Sequence, residues 1–256
     1  MTRTRVSRCR ACAGFTLTEL ALSLLIVAIL LAGMLVPLST QIDLRNQTQT
    51  QQTLTDIREA LLGFAVANGR LPCPASATSN GIESPSGGGN CTNPYDGLLP
   101  AATLGITPVD NQGYALDAWQ QRLRYAVTVA NGNAFTTTNG MKTVTLAALS
   151  PNLKICSSAA GMNNAGTAAV TCAAASTLSN SSVAVVYSLG RSGVVGGSGA
   201  DERHNPNPNT VVAADPAFVS HEPTAANAPQ GEFDDVVTWL SPNVLYSRLI
   251  AAGQLP

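Results

Sequence analysis

The sequence predicts an α+β chain: a long N-terminal α-helix whose first half suits a lipid bilayer and whose second half packs on an antiparallel β-sheet head. Three observations carry this. A run from Phe15 to Val36 is apolar but for its threonines, serine and glycine, and its only ionisable group is Glu19. A helical pattern continues past Pro37, with Leu54, Ile57, Leu61 and Phe64 on one face at helical spacing. Beyond Gly69 the composition turns to Gly, Pro, Ser, Asn and Ala, interrupted by short β-like runs.

With 256 residues, 45% of them hydrophobic and 11% charged, the chain can bury a core and is not a disordered one. Its net charge of -1 conceals an uneven distribution. Arg3, Arg5, Arg8 and Arg10 stand in the first stretch with no acid beside them, and acids outnumber bases in the remainder. Lys142 and Lys154 are the only lysines and no basic stripe occurs, so nucleic acid is not an expected partner.

At about 1.5 Å per residue, the run from Phe15 to Val36 is long enough to cross roughly 30 Å of hydrocarbon. The arginines ahead of it, with no base after it until Arg45, put the N-terminus in the cytoplasm and everything after Pro37 outside it. A cleaved secretory signal would have a shorter apolar region and a small-x-small site at its far end, which this run lacks.

Around Glu19 the string is Gly14-Phe15-Thr16-Leu17-Thr18-Glu19-Leu20, with bases upstream and an apolar helix downstream. It resembles the prepilin family, the type IV pilins and the pseudopilins of type II secretion. The resemblance implies a pilin-like fold and cleavage by a prepilin peptidase after Gly14. It also implies N-methylation of Phe15 and a filament-assembly role for Glu19, which becomes the fifth residue of the mature chain. In that family the acid is thought to pair with the terminal amine of a neighbouring subunit. For Glu19 alone the other reading is a side chain that snorkels to the headgroups. The family's helix proline commonly stands one position earlier than Pro37 does here.

The implied organisation is a cytoplasmic leader over 1–14, a transmembrane half-helix over 15–36, a periplasmic half-helix over 37–68 and a head over 69–256. The implied partners are the prepilin peptidase, other pilin or pseudopilin subunits and the inner-membrane assembly platform. A head this large points to a minor or accessory subunit. The implied location is the bacterial inner membrane, in a single pass, and then an assembled filament.

Gly69, Pro72 and Pro74 stop the helix. In the head, "RLRYAVTVA" (122–130), "KTVTLAAL" (142–149) and "SVAVVYSLG" (182–190) read as strands between Asn-Gly and Gly-rich turns. The segment 76–93 is too polar for core and reads as a loop, and 191–232 reads as a long surface excursion.

Two shorter resemblances extend the match. "DAWQQRLRYAV" (117–127) is similar to the Asp-x-Trp-Gly pattern that leads into a pseudopilin strand, with Gln120 in the glycine's place. "YSLGRSGVVGGSG", followed later by "FDDVVTW", resembles the C-terminal loop where the major pseudopilin binds calcium. On that resemblance Asp234, Asp235 and Asp201 are candidate Ca2+ ligands. The other reading of Asp234 and Asp235 is an exposed turn or a helix N-terminus leading into "VVTWLS".

Cys9 and Cys12 lie in the leader and leave with it. Cys73, Cys91, Cys156 and Cys172 lie in the head, in an oxidising compartment if the topology holds. Three connectivities are open. Local pairing, Cys73 with Cys91 and Cys156 with Cys172, closes two short loops at about 3 kcal/mol each in the chain-entropy model.

No Gly-x-Ser-x-Gly, His-Glu-x-x-His or phosphate loop is present, so an enzyme is not expected. Both histidines, His204 and His221, read as solvated loop side chains, and Trp119 and Trp239 as core anchors. The alternative is an extracytoplasmic enzyme or ligand-binding protein on a signal anchor. It requires His204, His221, Asp234 and Asp235 to gather into one cluster.

Overall fold

The computed structural model describes residues 16–197, 199–206 and 214–255, with residues 31–40 described by their backbone alone. The fold is α+β. Helix α1 (Leu17–Asn68) is a single 52-residue helix that runs through Pro37. The chain divides into two compact units at Arg45/Asn46, so the later part of α1 belongs to the head. Among the described residues no helix is long and apolar enough to cross a membrane. The span expected from Phe15 to Val36 includes Phe15 and the side chains of 31–36, which lie outside the described residues.

Within the head unit α1 buries one face. Leu54, Ile57, Leu61, Leu62 and Ala65 are buried at helical spacing, with Thr50 continuing the stripe one turn earlier. Phe64, expected on this face, is half-buried because its ring lies under the Arg70 guanidinium, 5.2 Å from the ring centroid. Gly69, in the left-handed region at φ 66°, ends the helix.

The elements after α1 are β1 (Gly97–Leu98), α2 (Ala101–Leu104), β2 (Arg124–Val127), the short turns α3 (Ala130–Asn133) and α4 (Gly140–Thr143), and β3 (Leu153–Cys156). They continue with β4 (Thr177–Ser182), β5 (Ala184–Ser188), β6 (Ala217–Val219), β7 (Val236–Leu240) and α5 (Pro242–Ala251). One sheet is antiparallel, in the order β1-β2-β5-β7, with Tyr125 opposite Val186 and Val185 opposite Trp239. The second, in the order β4-β3-β6, is mixed, because β3 pairs antiparallel with β4 and parallel with β6. The expected antiparallel sheet is present, and the second sheet adds to it a parallel pairing of β6 that the sequence did not suggest.

Strand β5 is buried at every residue, which follows from its place between two layers. Ala184 and Val186 face the cluster that holds Leu54, Leu61, Tyr125 and Val127. Val185 and Tyr187 face Leu153, Ile155 and Phe218 of the second sheet. The antiparallel sheet therefore lies between the head part of α1 and the mixed sheet. Trp119 and Trp239 are half-buried, each packed against one of these clusters.

Two sequence expectations fail here, the second in part. Residues 142–149 form no strand: Lys142 and Thr143 close a helical turn on the Asn139 carbonyl, and Leu146–Ala148 form an exposed 3-10 turn. The region 191–232 is a surface excursion only in part: residues 222–232 stay exposed or half-exposed, but the described stretch before them is built into the head. It supplies β6, and Asp201, Glu202, Asn205 and Asp215 are buried there. Asn205 makes this possible by standing in as a strand partner: its side chain accepts from the Val219 N–H at 2.8 Å and donates to the Val219 carbonyl at 3.1 Å.

The head cysteines pair locally, Cys73 with Cys91 and Cys156 with Cys172. The loop at 76–93 holds a buried ion pair, in which Arg70 Nη2 donates to Glu83 Oε1 at 2.7 Å and Nη1 to Oε2 at 2.8 Å. The Cys73 and Gly87 N–H groups complete the carboxylate's shell.

Candidate functional site

Two places concentrate polar chemistry, the start of α1 and a group of acids in the head. Gly14 and Phe15 lie outside the described residues. From Leu17 to Leu30 the large apolar side chains are exposed, Leu17 at 86%. Glu19 is not stranded among them. Its Oε2 accepts from the Thr16 N–H at 3.0 Å and from Thr16 Oγ1 at 2.9 Å, while the Glu19 N–H donates to Thr16 Oγ1 at 3.2 Å. This reciprocal pattern is a capping box, which satisfies donors that open the helix. Its signal, Thr16-x-x-Glu19 ahead of an apolar run, stands in the sequence, and neither the assembly nor the snorkelling reading of Glu19 uses it.

In the head, Glu202, Asp234 and Asp235 each bring one carboxylate oxygen within 4.8 Å of the others. Oxygens that share one calcium ion, each about 2.3–2.6 Å from it, lie at most about 5.2 Å apart, so the spacing suits such an ion. Of the three expected ligands, Asp234 and Asp235 come together. Asp201 does not join them: its Oδ1 accepts from the Ala159 N–H at 2.6 Å and Ser158 Oγ at 3.0 Å, and its Oδ2 faces His221. Glu202, the next residue, takes the place expected of Asp201. Neither alternative reading of Asp234 and Asp235 holds. The pair leads into strand β7, not a helix, and Asp235 is buried.

Ser192 organises the cluster. Its N–H and Oγ donate to Asp234 at 2.9 and 3.0 Å, and its Oγ also contacts Glu202 Oε1. Backbone approach is close enough to need glycine at two points. A Cβ on Gly190, at φ 60°, would stand 2.4 Å from the Asp234 carbonyl, and one on Gly197 would stand 2.2 Å from the Glu202 carboxyl carbon. The "LGRSGVVGG" signal in the sequence is thus a loop folded over carboxylates.

Burial pushes the Glu202 carboxyl up to about 8, with Asp234 and Glu232 adding to the rise and the Ser192 hydrogen bond opposing it. Burial also raises Asp235 well above the usual carboxylate range, against the hydrogen bond from Asn205 Nδ2 to its Oδ2 at 2.7 Å. Its Oδ1 is buried and has no hydrogen-bond partner among the described residues. An all-oxygen donor set with an orphaned carboxylate oxygen fits a hard cation such as Ca2+.

His204 is not a solvated loop side chain, and His221 is half-buried. His204 lies 3.7 Å from Asp215 with its side chain 7% exposed, and burial lowers its basicity against the pull of Asp215 and Asp201. His221 faces Asp201 at 3.2 Å. Each histidine pairs with a different aspartate, and neither of these is Asp234 or Asp235. The four residues named for an enzyme-like cluster are therefore split between separate sets of partners.

The family described as prokaryotic N-terminal methylation motif matches residues 9–35. That motif supports a type IV pilin- or pseudopilin-like assignment. No curated protein and no solved structure matches the chain.

Proposed function

From the N-terminal methylation motif of the pilin- and pseudopilin-like family, we propose that this chain is a structural, non-enzymatic subunit of a type IV pilus or type II secretion filament, in a minor or accessory position. A prepilin peptidase cuts after Gly14, and Phe15 is then methylated. The helix from Phe15 to Val36 holds the precursor in the inner membrane in a single pass and later packs against other subunits on the assembly platform. The observation that carries this reading is the motif at residues 9–35, within which the large apolar side chains from Leu17 to Leu30 are exposed.

Glu19 acts in two settings. In a lone chain its carboxylate has the Thr16 partner. In a filament a neighbour's terminal amine competes for it, and a charge with a fixed partner at each stage costs less in lipid than a bare one. In the head, Glu202, Asp234 and Asp235 hold Ca2+, which neutralises their charge and braces the 190–199 loop.

Co-expression with a prepilin peptidase tests the reading by intact mass. Gly14→Val retains the leader, and processing that continues unchanged in this variant overturns the proposal. Glu19→Ala is expected to be inserted and cleaved yet poorly incorporated into filaments.

A further inference from the structure

Strand β7 (Val236–Leu240) is an edge of its sheet: β5 pairs with one side of it, and among the described residues no strand pairs with the other. The backbone groups of residues 236–239 that β5 leaves over bond to nothing else among those residues. Val-Val-Thr-Trp-Leu suits a strand, and it carries none of the charges, prolines or bulges that blunt an open edge. The other edges offer less, since β1 has two residues and β6 three, and β4 is polar with an irregular register against β3. The flank of β7 is also open in space. A cavity of about 530 Å³ is lined by residues 236–238 together with Gln51 and Thr55 of α1 and Leu178 of β4. A second, of about 290 Å³, is lined by residues 238–241 with Arg58 and Val244. The two share Thr238, so the opening follows the whole strand. Leu178 and Val244 stand beside it as exposed apolar side chains, 51% and 43% accessible.

We propose that β7 takes an added strand from another polypeptide, an extended segment that runs antiparallel to it with an acidic residue at its start and a basic residue at its end. Unpaired N–H and C=O groups in a row are answered by a chain in the same extended form. Antiparallel pairing continues this sheet, in which every pair of neighbours is antiparallel. Charge sets the ends. Arg58 lies at the Leu240 end, makes no ion pair or hydrogen bond among the described residues and buries its Nε, so the start of the segment supplies an acid there. Glu222 and Asp235 lie at the Val236 end and favour a base. Side chains alternate across an added strand, so one face meets Leu178 and Pro223 and is apolar, while the other meets Gln51 and Thr55 and is polar. A second copy does not meet these terms. Asp235 shares a cavity with Gln47 and Gln51, and Leu240 one with Arg58, so β7 and the head part of α1 run the same way. Antiparallel self-pairing would point two such helices in opposite directions, which chains anchored side by side, on the filament reading, do not allow.

The test is fluorescence polarisation of the labelled, end-capped peptide Glu-Val-Thr-Val-Thr-Val-Lys, titrated with the full chain in detergent micelles. A dissociation constant below about 1 mM is expected. Of the two alternately N-methylated forms of this peptide, one loses the donors that face β7, so the two should differ at least tenfold in affinity, which uptake into micelles would not produce. Arg58→Glu should weaken binding at least tenfold, and a peptide that begins with lysine should recover it. Absence of binding, equal affinity of the two N-methylated forms or indifference to Arg58→Glu overturns the proposal. So does a chain that sediments as a dimer without peptide and is returned to monomer by Arg58→Glu, since the occupant is then a second copy. Should that variant unfold, amide exchange on the unaltered chain decides: the peptide should slow exchange in β7 and leave β1 as it was, and protection elsewhere or nowhere overturns the site.

Discussion

Glu83 and Glu202 are both buried glutamates in glycine-rich loops of the head, yet Glu83 meets a guanidinium while Glu202 meets two further acids. The Glu83 loop carries its own cation. Arg70 binds the carboxylate through two parallel bonds, two backbone N–H groups fill the remaining positions, and every charge is answered within the chain. The Glu202 loop answers its acids with the Ser192 hydroxyl and N–H and with Asn205, none of which is charged. The first arrangement is complete as a fold element. The second gathers three acids at one point, where a held proton or a bound cation relieves their mutual repulsion, which separates a structural buried acid from a candidate site.

Removing the internal cation should therefore be the most damaging single change. Arg70→Ala leaves Glu83 buried and uncompensated, and a loss of about 3–5 kcal/mol is expected, read as a fall in the urea midpoint. An equal loss from Ser192→Ala, which removes only a neutral hydroxyl from the other loop, would erase the distinction.

The disulfide beside Glu83 comes next. Cys73 and Cys91, 18 residues apart, close the loop that holds this carboxylate, and replacing both with Ser should cost about 3 kcal/mol. Measured in the Arg70→Ala background, the two losses should fall short of additive, because both loosen the same loop.

The acid cluster should show itself through pH. Burial raises the Glu202 carboxyl to about 8, so the folded chain keeps a proton that the unfolded chain, with a glutamate of ordinary acidity near 4.5, has released. Stability from this group is present below about pH 4.5 and is lost as pH rises towards about 8, and Asp235 acts in the same direction. In chelator, the melting temperature should fall by on the order of 5 °C between about pH 5 and 8. Glu202→Gln should flatten that slope. Ca2+ should raise the melting temperature more at pH 8 than at pH 6, because a deprotonated cluster binds it better. A flat profile that ignores Ca2+ would reduce the cluster to the same structural role as Glu83.

How much of this could be read from sequence depended on whether the governing interaction was local. The stripe Leu54-Ile57-Leu61, the stop at Gly69 and strand β5 are set by neighbours in the chain, and all were visible. Strand β4, "TLSNSS", was not, because its polar exposed residues form a strand only through pairing with β3. Strand β6 was hidden for a related reason: its parallel place beside β3 and the Asn205 bridge join segments far apart in sequence. At the site, Asp234 and Asp235 could be named from a loop pattern. The exchange of Asp201 for Glu202 could not, since adjacent residues in a tight turn point to different neighbours and no periodicity says which way.

The smallest predicted effect concerns a residue that sequence flagged and geometry explains. Gln120 stands where the pseudopilin-like pattern has glycine, and it adopts φ 66°. The turn is fixed from both sides: Asp117 Oδ1 accepts from the Trp119 and Gln121 N–H groups at 2.8 Å each, and Ser188 Oγ donates to Asp117 Oδ2 at 2.5 Å. Asp117, itself raised by burial against these same bonds, thus ties the turn to β5. A left-handed conformation costs an L-residue roughly 1–2 kcal/mol, while glycine's freedom in the unfolded chain returns about 0.4–1 kcal/mol of that. Gln120 is exposed, so its side chain adds little to offset the strain. Gln120→Gly should therefore stabilise the head by about 0.5–1 kcal/mol, seen as a higher urea midpoint at unchanged slope, and Gln120→Val should destabilise it. A destabilised Gln120→Gly would mean that the glutamine side chain makes a contact worth more than the backbone strain, and the likeness to the family's glycine would lose its physical basis.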